Sequence, residues 1–302
     1  MKGIDLFSGC GGLSLGFQNA GFEILAAFDN WQTAIEIYRQ NFKHKVYYRN
    51  LQRWQENIDF FRKFDPDFII GGPPCQDFSS AGKRDENLGN GDLTLSFANI
   101  VVALLPRLFV MENVERFNKT ERYKISKAIF KNAGYGITEK ILDASLCGVP
   151  QKRKRFFWIG IYEDKNEALL PYLDTHLATK PMTVRDYLQD RLEIQYYYRH
   201  PRSYQRRGIF SIDEPSPTIR GVNRPIPKTY KTHPRDAAPL SPEIRPLTTR
   251  ERSYIQTFPE DFIFTGSKTD REQAIGNAVP IKLAEYVACC ILKYWRDRVH
   301  SH

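Results

Sequence analysis

Short apolar runs alternate with helical patterns through the first half of this 302-residue chain. The runs IDLF (4–7) and FEILAAF (22–28) have the length and composition of buried strands, and QTAIEIYRQNF (32–42) has the spacing of an amphipathic helix. Further strand-like runs follow at DFII (67–70), RLFVME (107–112) and RFFWIGIY (155–162). Strands that alternate with helices form parallel βαβ units. The sequence therefore predicts an α/β fold with a doubly wound, mostly parallel sheet and helices on both faces.

The pattern changes after Tyr162, where prolines and arginines become frequent and periodicity fades. Order returns in LTTRERSYIQTF (247–258), where Thr248 or Thr249 can cap a helix. The segment PIKLAEYVACCILKYW (280–295) predicts a last helix whose apolar face packs on the sheet. We predict a sheet domain formed by residues 1–162 plus 271–302, and a second, smaller and irregular domain formed by residues 163–270.

The cysteines and the apolar runs limit the class of protein. An odd number of cysteines without a CxxC pair argues against a disulfide framework and against a zinc site, so no metal is expected. The start of the chain lacks the pattern of a signal peptide, and no apolar run reaches the roughly 20 residues of a membrane helix. We expect a soluble, cytoplasmic protein. The cysteines are Cys10, Cys75, Cys147, Cys289 and Cys290.

Positive charge is concentrated in residues 199–235. Nine basic residues and two acidic ones, Asp213 and Glu214, give this segment a net charge of +7 within a chain of net charge +9. Such a cluster favours a polyanionic partner such as nucleic acid, although a solvated loop that keeps the protein soluble is an equal alternative.

Glycines follow the first predicted strand at the place where doubly wound sheets bind ligands. Gly9, Gly11 and Gly12 let the main chain approach a ligand closely, but Ser14 occupies the third glycine position of a dinucleotide fingerprint. A nucleotide-like cofactor without a pyrophosphate fits better. Asp29, at the end of the second strand, can accept hydrogen bonds from a ribose. The alternatives are a tight turn for the glycines and a helix N-cap for Asp29.

A thiol and a carboxylate follow two other strands. Cys75 ends the stiff stretch GGPPC (71–75), and Glu112 ends the next strand along the chain. Because the carboxyl ends of parallel strands share one edge of a sheet, both side chains are expected at one crevice. A cysteine beside a strand is also commonly a small buried apolar residue.

Six motifs in order resemble those of the DNA (cytosine-5-)-methyltransferases of bacterial restriction–modification systems. The resemblance spans nearly the whole chain and implies a methyltransferase fold that binds S-adenosylmethionine, with residues 163–270 as the target-recognition domain. The motifs are DLFSGCGGLSLGF (5–17), GGPPCQDFS (71–79), ENV (112–114), QKRKR (151–155), RPLTTRERSYIQTFPEDF (245–262) and GNAVP (276–280).

The resemblance implies a catalytic role for four residues. Cys75 would add to C6 of a flipped cytosine, after which C5 takes the methyl group. Glu112 would hold or protonate N3 of the ring. Arg153 and Arg155 would support the site, with Arg155 reaching towards the base.

It also implies the two binding surfaces. Asp29 stands where the family usually has a glutamate, and Asn50 where an aspartate usually accepts a bond from adenine. The implied partner is double-stranded DNA, with a cognate restriction endonuclease as a functional partner and a monomer as the working unit. The implied cofactor residues are Phe7, Gly9, Gly11, Gly12, Asp29, Asn30, Asn50, Pro73 and Asn277. The implied DNA-binding residues are Ser79, Gln151, Thr218, Arg220, Arg224 and Lys228.

Two rival functions share these motifs. A transfer-RNA cytosine-5 methyltransferase would keep Cys75 and Glu112, but relatives of that type usually have threonine in place of Ser79. A catalytically silent DNA-binding relative would not need both Cys75 and Glu112.

Overall fold

The computed structural model describes residues 1–74, 93–203 and 206–299. The strands are β1 (Lys2–Leu6), β2 (Glu23–Asp29), β3 (Lys45–Tyr48), β4 (Phe68–Gly71), β5 (Leu108–Val114), β6 (Tyr135–Asp143), β7 (Gln151–Lys152), β8 (Lys154–Tyr162), β9 (Tyr196–Tyr198), β10 (Ile209–Ser211) and β11 (Ser216–Pro217). The helices are α1 (Gly12–Asn19), α2 (Gln32–Asn41), α3 (Trp54–Arg62), α4 (Leu93–Leu104), α5 (Glu121–Asn132), α6 (Leu170–Thr175), α7 (Val184–Leu188), α8 (Thr249–Ile255), α9 (Lys268–Asn277) and α10 (Ile281–Val299).

Within these residues, seven strands form one sheet in the order β3-β2-β1-β4-β5-β8-β6. The strands pair in parallel from β3 to β5, whereas β8 is antiparallel to both β5 and β6. The doubly wound, mostly parallel α/β fold is confirmed. The regular alternation predicted it because each helix returns the chain to the same edge of the sheet.

Side chains of the central strands alternate between two apolar layers. Phe68 and Ile70 of β4 pack in the layer that contains α1, α6 and α10, and Ile69 packs in the layer that contains α3, α4 and α5. Since successive side chains of a strand point to opposite faces, a continuous apolar run such as FIIG is required where both faces are covered.

The last helix, α10, packs against α1 and the sheet, as its apolar face predicts. The contact is close at Gly16 of α1, where an added Cβ would lie 2.4 Å from Cβ of Ala284. The stretch Lys268–Arg298 has the length and apolarity of a membrane span, but 67% of its apolar window is buried inside the protein, which is typical of a core helix.

A further apolar cluster lies outside the two layers of the sheet and organises the irregular part of the chain. It joins Val184, Tyr197, Phe210 and Ile219 to Ile255 of α8. Helix α8 is capped by Thr248, which forms a capping box with Glu251. The apolar side chains of residues 168–173 belong instead to the layer formed with α10. The domain boundary placed after residue 162 stays a prediction.

A buried carboxyl group lies at the centre of the sheet domain. Asp5 of β1 accepts a 2.6 Å hydrogen bond from the Ser14 hydroxyl, and Ser14 in turn accepts one of 2.6 Å from the Tyr38 hydroxyl. Complete burial raises the pKa of Asp5 from 3.8 to about 8, although the bond from Ser14 acts in the opposite direction. Asp5 is therefore protonated in the folded protein at neutral pH.

This pKa predicts a pH-dependent stability that Asp5→Asn removes. Between pH 3.8 and about 8 the folded state keeps a proton that the unfolded state has released. The contribution of Asp5 therefore lowers the free energy of unfolding by about 1.4 kcal/mol per pH unit in that window. Urea denaturation at pH 5, 6 and 7 should show Asp5→Asn gaining stability relative to the native protein as pH rises. Asp59→Asn, at an exposed carboxylate, is the control. A difference that does not change with pH would contradict the prediction.

Candidate active site

Loops that follow four parallel strands meet around one cavity of about 470 Å³ at the carboxyl edge of the sheet. The loop after β1 contributes Phe7 and Gly9, and the loop after β2 contributes Asp29. Pro73 follows β4, and Glu112 lies in β5. The structure thus brings together residues that are distant in sequence, as expected for the switch point of a doubly wound sheet.

The loop between β1 and α1 has the backbone conformation that its glycines permit. Gly9 has φ +53° and Gly11 has φ +94°, and at Gly11 an added Cβ would lie 2.4 Å from the Phe42 ring. Gly12 starts α1, and there an added Cβ would lie 2.3 Å from the carbonyl oxygen of Val279. At Gly9 the space around a Cβ position is open. The two later glycines serve close packing, and Gly9 keeps open a space beside the cavity.

Asp29 braces this loop. Its carboxylate accepts main-chain hydrogen bonds from Gly9, Asn30 and Trp31, each of 2.8 Å. Burial raises its pKa, and these main-chain donors act in the opposite direction. The N-cap of α2 is Trp31, so the simple N-cap alternative for Asp29 is wrong. A carboxylate has about four lone-pair positions, which leaves capacity for a ligand hydroxyl. Asn30 lines the same cavity.

Glu112 pairs with Arg155 across the β5–β8 ladder. The Arg155 Nε lies 2.8 Å from the Glu112 Oε1, and both side chains are largely buried. Burial raises the pKa of Glu112, while the guanidinium groups of Arg155 and Arg153 act to lower it. The carboxyl group is thus held in place by a cation and still has an increased tendency to carry a proton.

The loop after β4 begins beside this pair. An added Cβ at Gly72 would lie 3.4 Å from the Glu112 Oε2, and the Asn113 side chain donates a 3.2 Å hydrogen bond to the Pro73 carbonyl. Cys75 and Ser79, which follow in the same loop, lie outside the described residues.

A larger cleft of about 1270 Å³ adjoins the cavity. Arg155 and Asn277 line both spaces, so the Glu112 site is continuous with the cleft. Among the described residues, eleven basic side chains and only two acidic ones, Glu115 and Asp143, line the cleft, which makes it suited to a polyanion. The basic residues are Arg116, Lys152, Arg153, Lys154, Arg155, Arg199, Arg202, Arg206, Arg207, Arg220 and Arg235.

The predicted DNA-binding residues of the irregular domain divide into two groups. Thr218 and Arg220 line the cleft. Thr218 also donates a 2.8 Å hydrogen bond to the Lys152 carbonyl, and Arg220 donates to the His200 carbonyl. Arg224 and Lys228 are exposed, and they are not among the described residues that line the cleft. DNA contact by all four stays a prediction.

The structure places two residues of QKRKR inside the protein. The Gln151 side chain is fully buried, and both ends of its amide are hydrogen-bonded there, so its predicted DNA contact gains no support from the described residues. Arg153 is 2% exposed, donates to the carbonyls of Ile219, Gly276 and Ala278, and lines both the cavity and the cleft. Its role in supporting the site stays a prediction.

Asn50 lines a second pocket with Tyr48 and Phe60, and this pocket shares Arg49 with the cavity. The side-chain oxygen of Asn50 accepts a 3.0 Å hydrogen bond from the Gln52 main chain, as in an Asx turn. Its contact with the cofactor stays a prediction.

Sequence reasoning missed several residues that line these spaces. Trp31 lines the cavity beside Asp29. Arg116, Lys152 and Lys154 bring positive charge to the cleft from the sheet domain. A signal for the two lysines was present, because strand alternation in QKRKR places residues 152 and 154 on the face opposite residues 151, 153 and 155.

Comparison with known proteins identifies the family. The model for C-5 cytosine-specific DNA methylase matches residues 1–293. The chain belongs to this family. It is 58% identical over 302 residues to the type II methyltransferase M.HindV of Haemophilus influenzae, covering 100% of this chain and 99% of the relative. It is 54% identical over 294 residues to M.HgiDI of Herpetosiphon aurantiacus, covering 97% and 95%.

Solved structures agree on the fold. The S. pombe Dnmt2 methyltransferase superposes with a TM-score of 0.74 at 20% sequence identity, over 97% of this chain and 98% of that one. Membership of the family, and not the likeness in fold, makes the protein a DNA cytosine-5 methyltransferase with S-adenosylmethionine as its methyl donor.

The cavity has features that fit this donor. Gly9 leaves room for a ligand against the main chain. The Ser8 hydroxyl is buried beside the cavity and has no hydrogen-bond partner within the described residues. Asp29 at the rim can accept bonds from hydroxyl groups. A ligand with a polar, nucleoside-like body would satisfy these groups.

The open space at Gly9 leads to a test of cofactor binding. Gly9→Ala would add a methyl group at a residue that lines the cavity, so we expect the affinity for S-adenosylmethionine to fall about tenfold or more, with a stability loss of about 1–2 kcal/mol from the left-handed backbone. Gly21→Ala is the matched control, because Gly21 has φ +100° and an equally open Cβ position but does not line the cavity. Calorimetric titration and thermal unfolding separate the effects. Equal affinities for the two variants would show that the cofactor lies elsewhere.

Proposed function

We propose that this methyltransferase modifies one cytosine within a short motif of double-stranded DNA through a covalent bond between Cys75 and C6. The observation that supports the proposal most is the Glu112–Arg155 pair at the junction of the cavity and the basic cleft. A base that enters from the cleft would meet a carboxyl group whose pKa is raised by burial, beside the space assigned to the methyl donor.

The methyl donor would be held by the loops at the carboxyl edge of the sheet. Bound there, S-adenosylmethionine would supply an electrophilic methyl group, and its sulfur would keep the electron pair of the broken S–CH₃ bond. Phe7, Gly9 and Gly12 would border it, Asp29 would accept hydrogen bonds from its hydroxyls, and Asn277 would contact it as a further lining residue. Gly11 shapes the same loop and is proposed to approach the cofactor through its main chain.

Three groups of the chain would carry the reaction at the base. The Cys75 thiolate forms the Sγ–C6 bond, and the ring electrons move to C5, which takes the methyl group. Glu112 donates a hydrogen bond or a proton at N3 as negative charge develops on the ring. A base then removes the C5 proton, and the S–C6 bond breaks to restore the aromatic ring. Arg155 fixes the Glu112 carboxyl throughout.

The basic cleft would hold the duplex from which the target base is flipped. Flipping costs a few kcal/mol, which phosphate contacts along the cleft can offset. Arg116, Lys152 and Lys154 would approach the backbone from one side, and the arginines of the irregular domain from the other. Arg220 and Arg224 are the proposed readers of guanine edges. Ser79, Thr218 and Lys228 are proposed as further contacts.

The biological setting is inferred from the relatives. M.HindV and M.HgiDI are both named type II methyltransferases. We infer that this enzyme acts in the cytoplasm as a monomer and protects host DNA from a cognate restriction endonuclease of the same specificity.

Transfer of labelled methyl from S-adenosylmethionine tests the proposal. Mixed-sequence duplex DNA and transfer RNA are assayed in parallel, and the DNA product is mapped by bisulfite sequencing. Methylation of one cytosine in one short motif is the expected result. Label in transfer RNA alone would assign the enzyme to the RNA-modifying class, and tight DNA binding without label would contradict a catalytic role.

Replacement of Cys75 tests the covalent step. Cys75→Ala should abolish methyl transfer and leave the affinity for the target duplex within about threefold, since phosphate contacts dominate that affinity. Cys289→Ala, at an exposed cysteine of α10, should be fully active. Methyl-transfer assays on the mapped duplex measure the rate, and gel-shift assays on the same duplex measure the affinity. Residual turnover above a hundredth of the native rate in Cys75→Ala would exclude the thiol as nucleophile.

Replacement of Glu112 tests the acid. Glu112→Gln keeps the size of the side chain but removes the acidic proton, so we expect kcat to fall about 10²–10⁴-fold with little change in cofactor affinity. Glu121→Gln is the matched control, because Glu121 is exposed in the first turn of α5 and lies outside the residues that line the cavity or the cleft. Single-turnover rates on the mapped duplex would decide. Equal rates for the two variants would leave Glu112 without a catalytic role.

A further inference from the structure

Ile219 begins the short segment that carries Arg220 and Gly221, which is named the recognition segment from here on. The main chain of Ile219 is held on both sides by side chains of QKRKR. Its N–H donates a 2.9 Å hydrogen bond to the Gln151 Oε1, and its carbonyl accepts a 3.0 Å bond from the Arg153 Nη1. The preceding residues are also paired, since β11 lies parallel to β7. The two peptide groups on either side of Ile219 are thus each held by one side-chain hydrogen bond.

A third side chain extends this network. The Gln151 amide donates a 2.7 Å bond to the Gln256 Oε1, and the Gln256 amide donates to the Ala278 carbonyl at 3.1 Å. The Arg153 Nη2 donates to the carbonyls of Gly276 and Ala278, each at 3.1 Å. Gln151, Arg153 and Gln256, named the clamp from here on, are 0%, 2% and 0% exposed.

The recognition segment also rests directly on the chain that the clamp holds. At Gly276 an added Cβ would lie 2.1 Å from the Gly221 nitrogen and 2.2 Å from the Arg220 carbonyl carbon. This contact is main chain against main chain, so a shift of residues 276–278 would move Arg220 and Gly221 with it. Arg220 lines the cleft, where a displacement of this kind would change what it contacts.

The other side of the clamp adjoins the catalytic pair. Arg153 lies two residues before Arg155, whose Nε is 2.8 Å from the Glu112 carboxylate. Asn277, between two of the carbonyls that Arg153 holds, lines both the cavity and the cleft. The clamp is therefore connected to the recognition segment, the wall of the cofactor cavity and the strand that carries Arg155.

Burying the polar and charged side chains of the clamp costs more folding free energy than burying apolar side chains would. Burial lowers the pKa of the Arg153 guanidinium, and its Nε has no hydrogen-bond partner within the described residues. A buried charge of this kind is commonly less stabilising than apolar packing of the same volume. Its directional bonds to carbonyls offer positional precision that apolar packing lacks.

We propose that Gln151, Arg153 and Gln256 are positioning residues that keep the recognition segment in register with the Glu112–Arg155 site, so that base recognition and methyl transfer depend on one another. The inference rests on the proposed function and deepens it. Loosening the clamp should slow methyl transfer on the correct duplex and weaken discrimination against a duplex with one altered base pair, and should leave the cofactor bound normally.

Gln151→Met is the main test, because methionine is similar in length and uncharged but removes both hydrogen bonds. A displacement of about 1 Å at a reacting centre can cost about 100-fold, so we expect kcat to fall between tenfold and 100-fold. The ratio of kcat/KM between the mapped duplex and a single-substitution duplex should fall about tenfold, the discrimination of one good base contact. The Kd for S-adenosylmethionine should stay within about twofold of the native value.

Phe130→Leu is the control for lost stability, because Phe130 is buried in the layer between α5 and the sheet, outside the residues that line the cavity or the cleft. A clamp variant that matches this control in kcat and discrimination at the same thermal stability would overturn the proposal. Gln256→Met and the charge-conserving Arg153→Lys provide the same comparison where Gln151→Met does not fold. Failure of all three to fold would also overturn it, since the clamp would then serve stability alone.

The two levels of inference fail in different ways. A native enzyme that labels no DNA would contradict the proposed function. A native enzyme that labels one motif, with clamp variants that keep its rate and its preference, would contradict the clamp alone.

Discussion

The antiparallel insertion of β8 between β5 and β6 is the constraint on which the site depends. In a parallel sheet only the last residues of each strand reach the carboxyl edge, where ligands bind. Because β8 runs in the opposite direction, its first residues lie at that edge, and the ladder sets Arg155 opposite Val114. The Arg155 side chain therefore reaches Glu112 from a strand that begins at the site, whereas the parallel strands end there.

The same reversal connects recognition to chemistry. Strand β7 lies directly before β8 in the chain, and it pairs with β11, which precedes the recognition segment. A short stretch of chain therefore contributes to two surfaces. Arg153 and Arg155 line both the cavity and the cleft, Lys152 and Lys154 line the cleft alone, and the Gln151 side chain is buried. Alternation along an extended chain accounts for this division.

Local pattern was sufficient for the sheet and insufficient for parts of the site. The apolar run FIIG and the amphipathic helices predicted layers that the structure confirms, because a strand that is buried on both faces consists of consecutive apolar residues. The motif QKRKR predicts that Gln151 contacts DNA and that Arg153 supports the site, but it does not predict that both side chains are buried. Their burial depends on partners more than 60 residues away, at Ile219, Gln256 and Gly276, and sequence spacing does not contain that information.

The sequence by itself determined the order of strands and helices, the glycine loop at the first strand, the carboxylate at the end of β5 and the family to which these motifs belong. Each of these is encoded in contiguous residues through periodicity, backbone conformation or motif. The tertiary structure alone decided that Asp29 braces the glycine loop, that Gln151 and Arg153 are buried, and that the sheet domain supplies part of the basic cleft. Such outcomes depend on which distant segments meet, because burial and hydrogen bonding are properties of the packed chain.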